Sequence, residues 1–261
     1  MKLYVLDLGR IIMENDNPVT KEDGTQAQKP QIPIHAFLID SPAGYILFDA
    51  GCDPLGMKGA WPKEMCANPF VYDENQTLEK QLDTIYVKME DVRYIVLSHL
   101  HLDHAGAVHL FPNAEVYVSK EELEAVYAGH EDGSIDIFHQ KSDFDNWNRA
   151  NVNWKPVSGD QKPFLCDGIE LLDLGKGHSF GMLALALCLK EGCKMLVADA
   201  AYSAIHYGPP PQMAGVCCDE EGYFAALEKI RSYADAHHAE VLFGHDMPQF
   251  ASLKKAPQYY E

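Results

Sequence analysis

Apolar positions in this chain come in short runs, each stopped by a glycine, a proline or an acid. Residues 3–8, 34–39 and 45–48 read as strands, and Ser41-Pro42-Ala43-Gly44 between the last two has hairpin-turn chemistry. Residues 94–97, Tyr-Ile-Val-Leu, form a continuous apolar run that predicts a buried strand. Further strands are expected at 115–118, 168–174, 183–189, 195–198 and 240–243. Helical patterns are sparser. They fall at 78–88, at 120 to about 128 behind the capping-box signature Ser119-Lys120-Glu121-Glu122, and at 220–236. Residues 15–30 read as a polar surface loop, and 52–76 as irregular. Residues 129–160 lack a clear period and carry Phe138, Phe144, Trp147 and Trp154. They read as an insertion over the core that could cap a substrate. The two halves of the chain are alike in plan, which suggests two β-rich halves face to face with helices outside.

Composition narrows the partners. At 261 residues the chain can bury a sizeable core, and 47% apolar with 23% charged residues is ordinary for a soluble globular protein. A formal net charge of −18 disfavours nucleic acid and anionic membrane surfaces, which both need basic patches. The cysteine count, seven, is odd and includes no C-x-x-C pair, so free thiols in a reducing compartment are expected. Asp7 comes too early for a signal-peptide core, and no apolar run approaches membrane-spanning length. A cytoplasmic protein is the expectation.

Candidate chemistry sits directly after the 94–97 run. In Ser98-His99-Leu100-His101-Leu102-Asp103-His104-Ala105-Gly106, three imidazoles and a carboxylate fall within six residues. Neutral imidazole and carboxylate are the ligands that zinc and similar divalent metals prefer. His99 and His101 alternate, so an extended backbone projects both to one side, where they can grip one metal. Asp103 and His104 come after the chain begins to turn and face a second position. Three more ligand-type residues, His178, Asp199 and His245, each lie just past the end of an apolar strand. Ligands in α/β folds gather at such ends. Asp49 also ends a strand and reads equally as a turn former or as the partner that orients a ligand histidine. His35, His109, His130, His139, His206, His237 and His238 lack such a setting and are expected to be surface or core residues.

His-x-His-x-Asp-His, a Gly-His-Ser element, a strand-end Asp and a late strand-end His, in this order across essentially the whole chain, resemble the metallo-β-lactamase superfamily. The resemblance implies an α/β fold, an αβ/βα four-layer sandwich of two mixed β-sheets flanked by helices, in a single hydrolase domain over 1–261. It also implies two divalent metal ions, zinc, at one edge of the sheets. His99, His101 and His178 would hold the first metal; Asp103, His104 and His245 would hold the second; Asp199 would bridge. Gly175-Lys176-Gly177-His178 stands where family members often have Thr-Pro-Gly-His. Asp199-Ala200-Ala201-Tyr202 looks like the N-acyl-homoserine lactonase branch, whose tyrosine follows the bridging Asp by three residues. Leu102 stands where those lactonases commonly carry Phe. The implied activity is hydrolysis of a lactone ring, with N-acyl-homoserine lactones, the quorum-sensing signals, as substrate. The implied catalytic residues are Asp103 for proton transfer and Tyr202 as a donor to the developing oxyanion. The expected partner is this small molecule, for a monomer or homodimer. A thioesterase or phosphodiesterase on the same dinuclear site, and a non-hydrolytic metal-binding or redox protein, remain as alternatives.

Overall fold

A computed structural model describes residues 1–13 and 29–261. Most of the loop expected at 15–30 lies outside the described residues. Strands β1 (Lys2–Ile12), β2 (Gln31–Ser41) and β3 (Gly44–Phe48) form an antiparallel meander, and β4 (Phe70–Val71) pairs with β1. Helix α1 (Leu78–Asp83) leads to β5 (Val92–Val96), then come α2 (Leu102–Ala105) and β6 (Glu115–Ser119). After α3 (Lys120–Asp132) and α4 (Lys141–Ala150), strand β7 (Asn153–Val157) completes a seven-stranded sheet in the order β4-β1-β2-β3-β5-β6-β7. The second sheet takes β8 (Ile169–Gly175), β9 (Met182–Leu189), β10 (Gly192–Ala198) and β11 (Glu240–Phe243), in the order β11-β10-β9-β8. Helices α5 (Ala204–Tyr207) and α6 (Glu220–His237) fall between β10 and β11, and α7 (Met247–Ser252) follows.

Alternation along the strands builds the layers. Leu3, Val5, Phe37, Ile39, Ile46 and Phe48 face Ile169, Leu171, Leu183, Leu185 and Leu196 across the gap between the sheets. The residues between them, such as Leu6, Leu38 and Leu47, turn to the opposite face and pack with Leu82, Val126 and Trp147 of the helices. On the outer face of the small sheet, Leu172, Met182 and Val197 pack against Tyr223, Leu227 and Ile230 of α6. The result is helix, sheet, sheet, helix: the expected αβ/βα sandwich, with each half of the chain making one sheet.

Two expectations need correction. The helix expected over 78–88 stops at Asp83, because the chain turns at Tyr86, which takes φ 58°. Residues 129–160 are not an insertion lying over the core. They contain α4 and β7, and β7 is the edge strand of the large sheet, parallel to β6. Pro156 hides that strand from sequence reading, although proline is tolerated at an edge. Trp147 on α4 is buried, and its indole N–H donates to the Ala105 carbonyl at 3.1 Å, just behind α2.

Strand direction places the candidate chemistry. β3 and β5 are parallel. β8, β10 and β11 all run one way, since β9 is antiparallel to both β8 and β10. The carboxyl ends of these five strands carry every candidate ligand and Asp49. Ser98 also ties the two sheets together, its carbonyl accepting from Leu183 N–H at 2.8 Å. Replacing Trp147 by Ala should empty the seat of α4 behind α2 and lower unfolding stability by about 3–5 kcal/mol. Urea unfolding measures this; a loss under about 1 kcal/mol would show that α4 contributes little to the seat.

Candidate metal centre

His99, His101 and His178 converge, with ring centroids 4.4, 4.7 and 4.8 Å apart pairwise. Nε2 of His178 lies 3.0 Å from Nδ1 of His101. Beside them, Asp103, His104 and His245 make a second group: His245 Nε2 lies 3.4 Å, and His104 Nε2 3.7 Å, from Asp103 Oδ2. Asp199 lies between the groups. Its carboxylate is 3.3 Å from His104 Nε2, 3.1 Å from His245 Nε2 and 3.4 Å from His178 Nε2. All seven sequence-predicted ligand residues are therefore together. As expected, the first two come from an extended segment and the next two from the short α2.

The backbone reaches this arrangement under strain. Ala198, immediately before Asp199, takes φ 45°, and Asp49 takes φ 61°, a region that non-glycine residues seldom adopt. Gly244, before His245, has no room for a side chain: a Cβ there would lie 2.4 Å from Asp199 Oδ1.

Four of the five imidazoles are oriented from behind. His104 Nδ1 donates to Asp49 Oδ2 at 2.8 Å. Asp49 also accepts from the Ser98 N–H and hydroxyl at 2.7 and 2.9 Å, and the Ser98 oxygen sits 3.0 Å from His99 Nδ1. The Val216 carbonyl accepts from His178 Nδ1 at 2.8 Å, and the Pro33 carbonyl from His245 Nδ1 at 3.2 Å. The geometry thus gives Asp49 the orienting contact rather than a turn-forming one.

Two residues that the sequence left unmarked stand close by. His139, expected to be a surface or core residue, is buried with its ring 4.6 Å from that of His101. Its nitrogens face Asp136 and Glu122 at 3.0 and 3.3 Å. Burial works against its charged form, but these carboxylates raise its pKa to about 9. Nothing in the local pattern around His139 marked it; Glu122 was visible only as a helix-capping residue. Of the other histidines, His35 stacks on Phe250 in the core, and His206 lies 5.4 Å from the Tyr202 ring.

Electrostatics separate the two groups. Burial, reinforced by neighbouring imidazoles, pushes His99 and His101 well below the usual histidine range, and burial lowers His178 as well. For His104 and His245 burial also favours the neutral ring, but Asp199 and Asp103 outweigh it. His104 is held well above its ordinary value and His245 rises to about 10. Burial opposes the ionisation of Asp199 and Asp103, yet the same imidazoles hold both carboxyls low. Meanwhile His99 Nε2, His104 Nε2 and Asp199 Oδ1 are buried and make no hydrogen bond. Buried polar atoms without partners are costly. Inward-facing imidazole and carboxylate atoms of this kind fit divalent cations, which would take the place of the protons on His104 and His245.

A model of the metallo-beta-lactamase superfamily matches residues 30–192. The chain belongs to the metallo-β-lactamase superfamily. Its relatives in that superfamily include the N-acyl homoserine lactonase AiiB of Rhizobium rhizogenes, 36% identical, with 100% of this chain and 99% of AiiB covered. The N-acyl homoserine lactonase AttM of Rhizobium radiobacter is 31% identical, with 100% and 98% covered. The fold matches a B. thuringiensis AiiA mutant with N-decanoyl-L-homoserine bound at its active site, at a TM-score of 0.79 and 23% identity, with 99% and 98% covered. It also matches AidC, a dizinc quorum-quenching lactonase, at a TM-score of 0.67 and 21% identity, with 99% and 93% covered.

The upward pull of Asp199 and Asp103 on His104 and His245 has a measurable consequence. Loading the metal-free protein with a divalent metal at pH 8 should release about two protons, and affinity should fall as pH drops. Proton release in weak buffer measures it; binding without release would mean that these two imidazoles are not displaced.

Proposed function

We propose that the protein is a zinc-dependent lactonase that opens the ester ring of N-acyl-homoserine lactones. The observation that carries this reading is the convergence of two ligand groups on Asp199, beside Tyr202 and an apolar cavity. The relatives named as N-acyl homoserine lactonases over their full length support the substrate class. His99, His101 and His178 would hold one metal, Asp103, His104 and His245 the other, and Asp199 both. When bound, the metals supply an acidified water and Lewis-acid polarisation of the ester carbonyl. We treat residues 1–261 as one hydrolase domain.

The chain's own residues account for the remaining steps. Asp103 stands at the cavity wall, half-buried, with its carboxyl held ionised by His104 and His245 against the effect of burial. It can accept the proton of the attacking water and pass it to the leaving alkoxide. Tyr202 is half-buried, with its hydroxyl 3.4 Å from His178 Nδ1, a nitrogen already engaged by Val216. Burial first, then Asp199 and Asp103, raise its pKa well above 10, so it stays a donor across the working pH range. Turned to the ester carbonyl oxygen of a bound lactone, it would stabilise charge that grows only in the transition state. The cavity measures about 340 Å³, and Ile11, Ile32, Trp61, Met65, Leu102 and Phe138 supply apolar wall for an acyl chain. Leu102 is thus part of that wall.

Purified protein should carry about two divalent metals per chain, and His101→Ala should lose metal and activity together. Proton release on lactones of varied acyl length, beside thioesters and phosphodiesters, tests the substrate. Until the chain outgrows the cavity, each buried methylene should add about 0.8 kcal/mol, or about fourfold in kcat/KM. Thioester turnover with no lactone turnover would move the protein to another hydrolase class.

Tyr202→Phe should keep its metal and lose about five- to a hundredfold, chiefly in kcat. Unchanged kinetics would leave Tyr202 with a packing role alone.

A further inference from the structure

Helix α3 opens on the capping-box sequence Ser119-Lys120-Glu121-Glu122. In such a box the last carboxylate reaches back to the backbone of the cap residue. Only half of the box forms. The Glu122 N–H faces Ser119 Oγ at 3.4 Å, but the Glu122 side chain turns inward and is completely buried. Its Oε1 accepts from the Leu100 N–H at 2.9 Å. The Ser179 hydroxyl lies 2.9 Å from both carboxylate oxygens, and Oε2 accepts from the Gly181 N–H at 2.9 Å. His139 Nε2 faces Oε1 at 3.3 Å.

These partners are not scattered. Leu100 lies between His99 and His101, and Ser179 and Gly181 follow His178. A single carboxylate therefore collects donors from both loops that carry the first ligand group, although those loops belong to different sheets. The His178 loop meets the first turn of α3 so closely that a Cβ on Gly181 would lie 2.1 Å from Ser119 Oγ. A buried carboxylate is expensive unless its oxygens are satisfied, and here every partner is a donor.

We propose that Glu122 is a positioning residue for the first metal. It pins the His99–His101 loop to the His178 loop, so that three imidazoles from two sheets meet at one point. This rests on the two-metal reading above. The backbone and hydroxyl donors to Glu122 from these two loops flank only His99, His101 and His178, whereas His104 is bonded by Asp49, so the effect of Glu122 falls chiefly on the first position.

Glu122→Gln keeps the size but puts an amide NH₂ among groups that are all donors. Chelator competition, with the visible spectrum of the cobalt-loaded protein, reads the two positions separately. One metal equivalent should weaken by about ten- to a hundredfold while the other stays within about twofold, with circular dichroism unchanged. Ser179→Ala, which removes only one hydroxyl, should shift the same equivalent in the same direction by less. If Glu122→Gln does not fold, Ser179→Ala decides the matter alone. Wild-type affinity at both positions would overturn the proposal, as would equal weakening of both, which is what general destabilisation produces. Wild-type protein that binds no metal at all would sink the two-metal reading, and this inference with it.

Discussion

The carboxylate of Asp199 is where the two sheets meet chemically. His104 reaches it from the large sheet, and His178 and His245 from the small one. The group is buried, so its charge is tolerable only while cations or protonated imidazoles stand around it. The strained turn at Ala198 and the close passage of Gly244 exist to deliver it there. Most of the surrounding structure follows from the need to hold five imidazoles and two carboxylates near one point without letting any relax away.

That holding is done in two distinct ways. Around His104 and His99 it is local: Asp49 at the end of β3 touches Ser98 and His104 at the end of the neighbouring strand β5. His178 and His245 lean instead on backbone carbonyls from Val216 and Pro33, far away in sequence. A carbonyl cannot be removed by a side-chain substitution, so these two orientations depend on where whole segments lie rather than on any one residue type.

The same distinction explains what could be read from the chain before folding. The 99–104 cluster was legible because its four ligand-type residues fall within six positions, and His178, Asp199 and His245 because each lies just past the end of an apolar strand. The layers were legible because Leu3, Val5 and their neighbours alternate cleanly between two buried faces. α4 and β7 were not, since α4 is mostly polar around a single buried Trp147 and β7 carries Pro156 at a sheet edge. Glu122 was visible but misdirecting: its local setting matches a helix cap, and only tertiary contact turns its side chain inward. His139 carried no signal, because its partners Glu122 and His101 come from separate elements.

The cavity has an apolar wall from side chains outside the imidazole cluster and a floor from His101, Asp103, Asp199, Tyr202 and His245. Ile11, Ile32, Trp61, Met65 and Phe138 line it, and of these Phe138 also packs its ring 5.4 Å from that of His101. Val216 serves both, lining the cavity while its carbonyl holds His178. Ile11, Ile32 and Met65 are therefore the wall positions to vary first, whereas Leu102 and Phe138 are tied to the cluster through α2 and His101. This architecture lets one chemistry drift between substrates over evolutionary time, and it gives a protein engineer a set of positions where selectivity can be changed without rebuilding the metal centre.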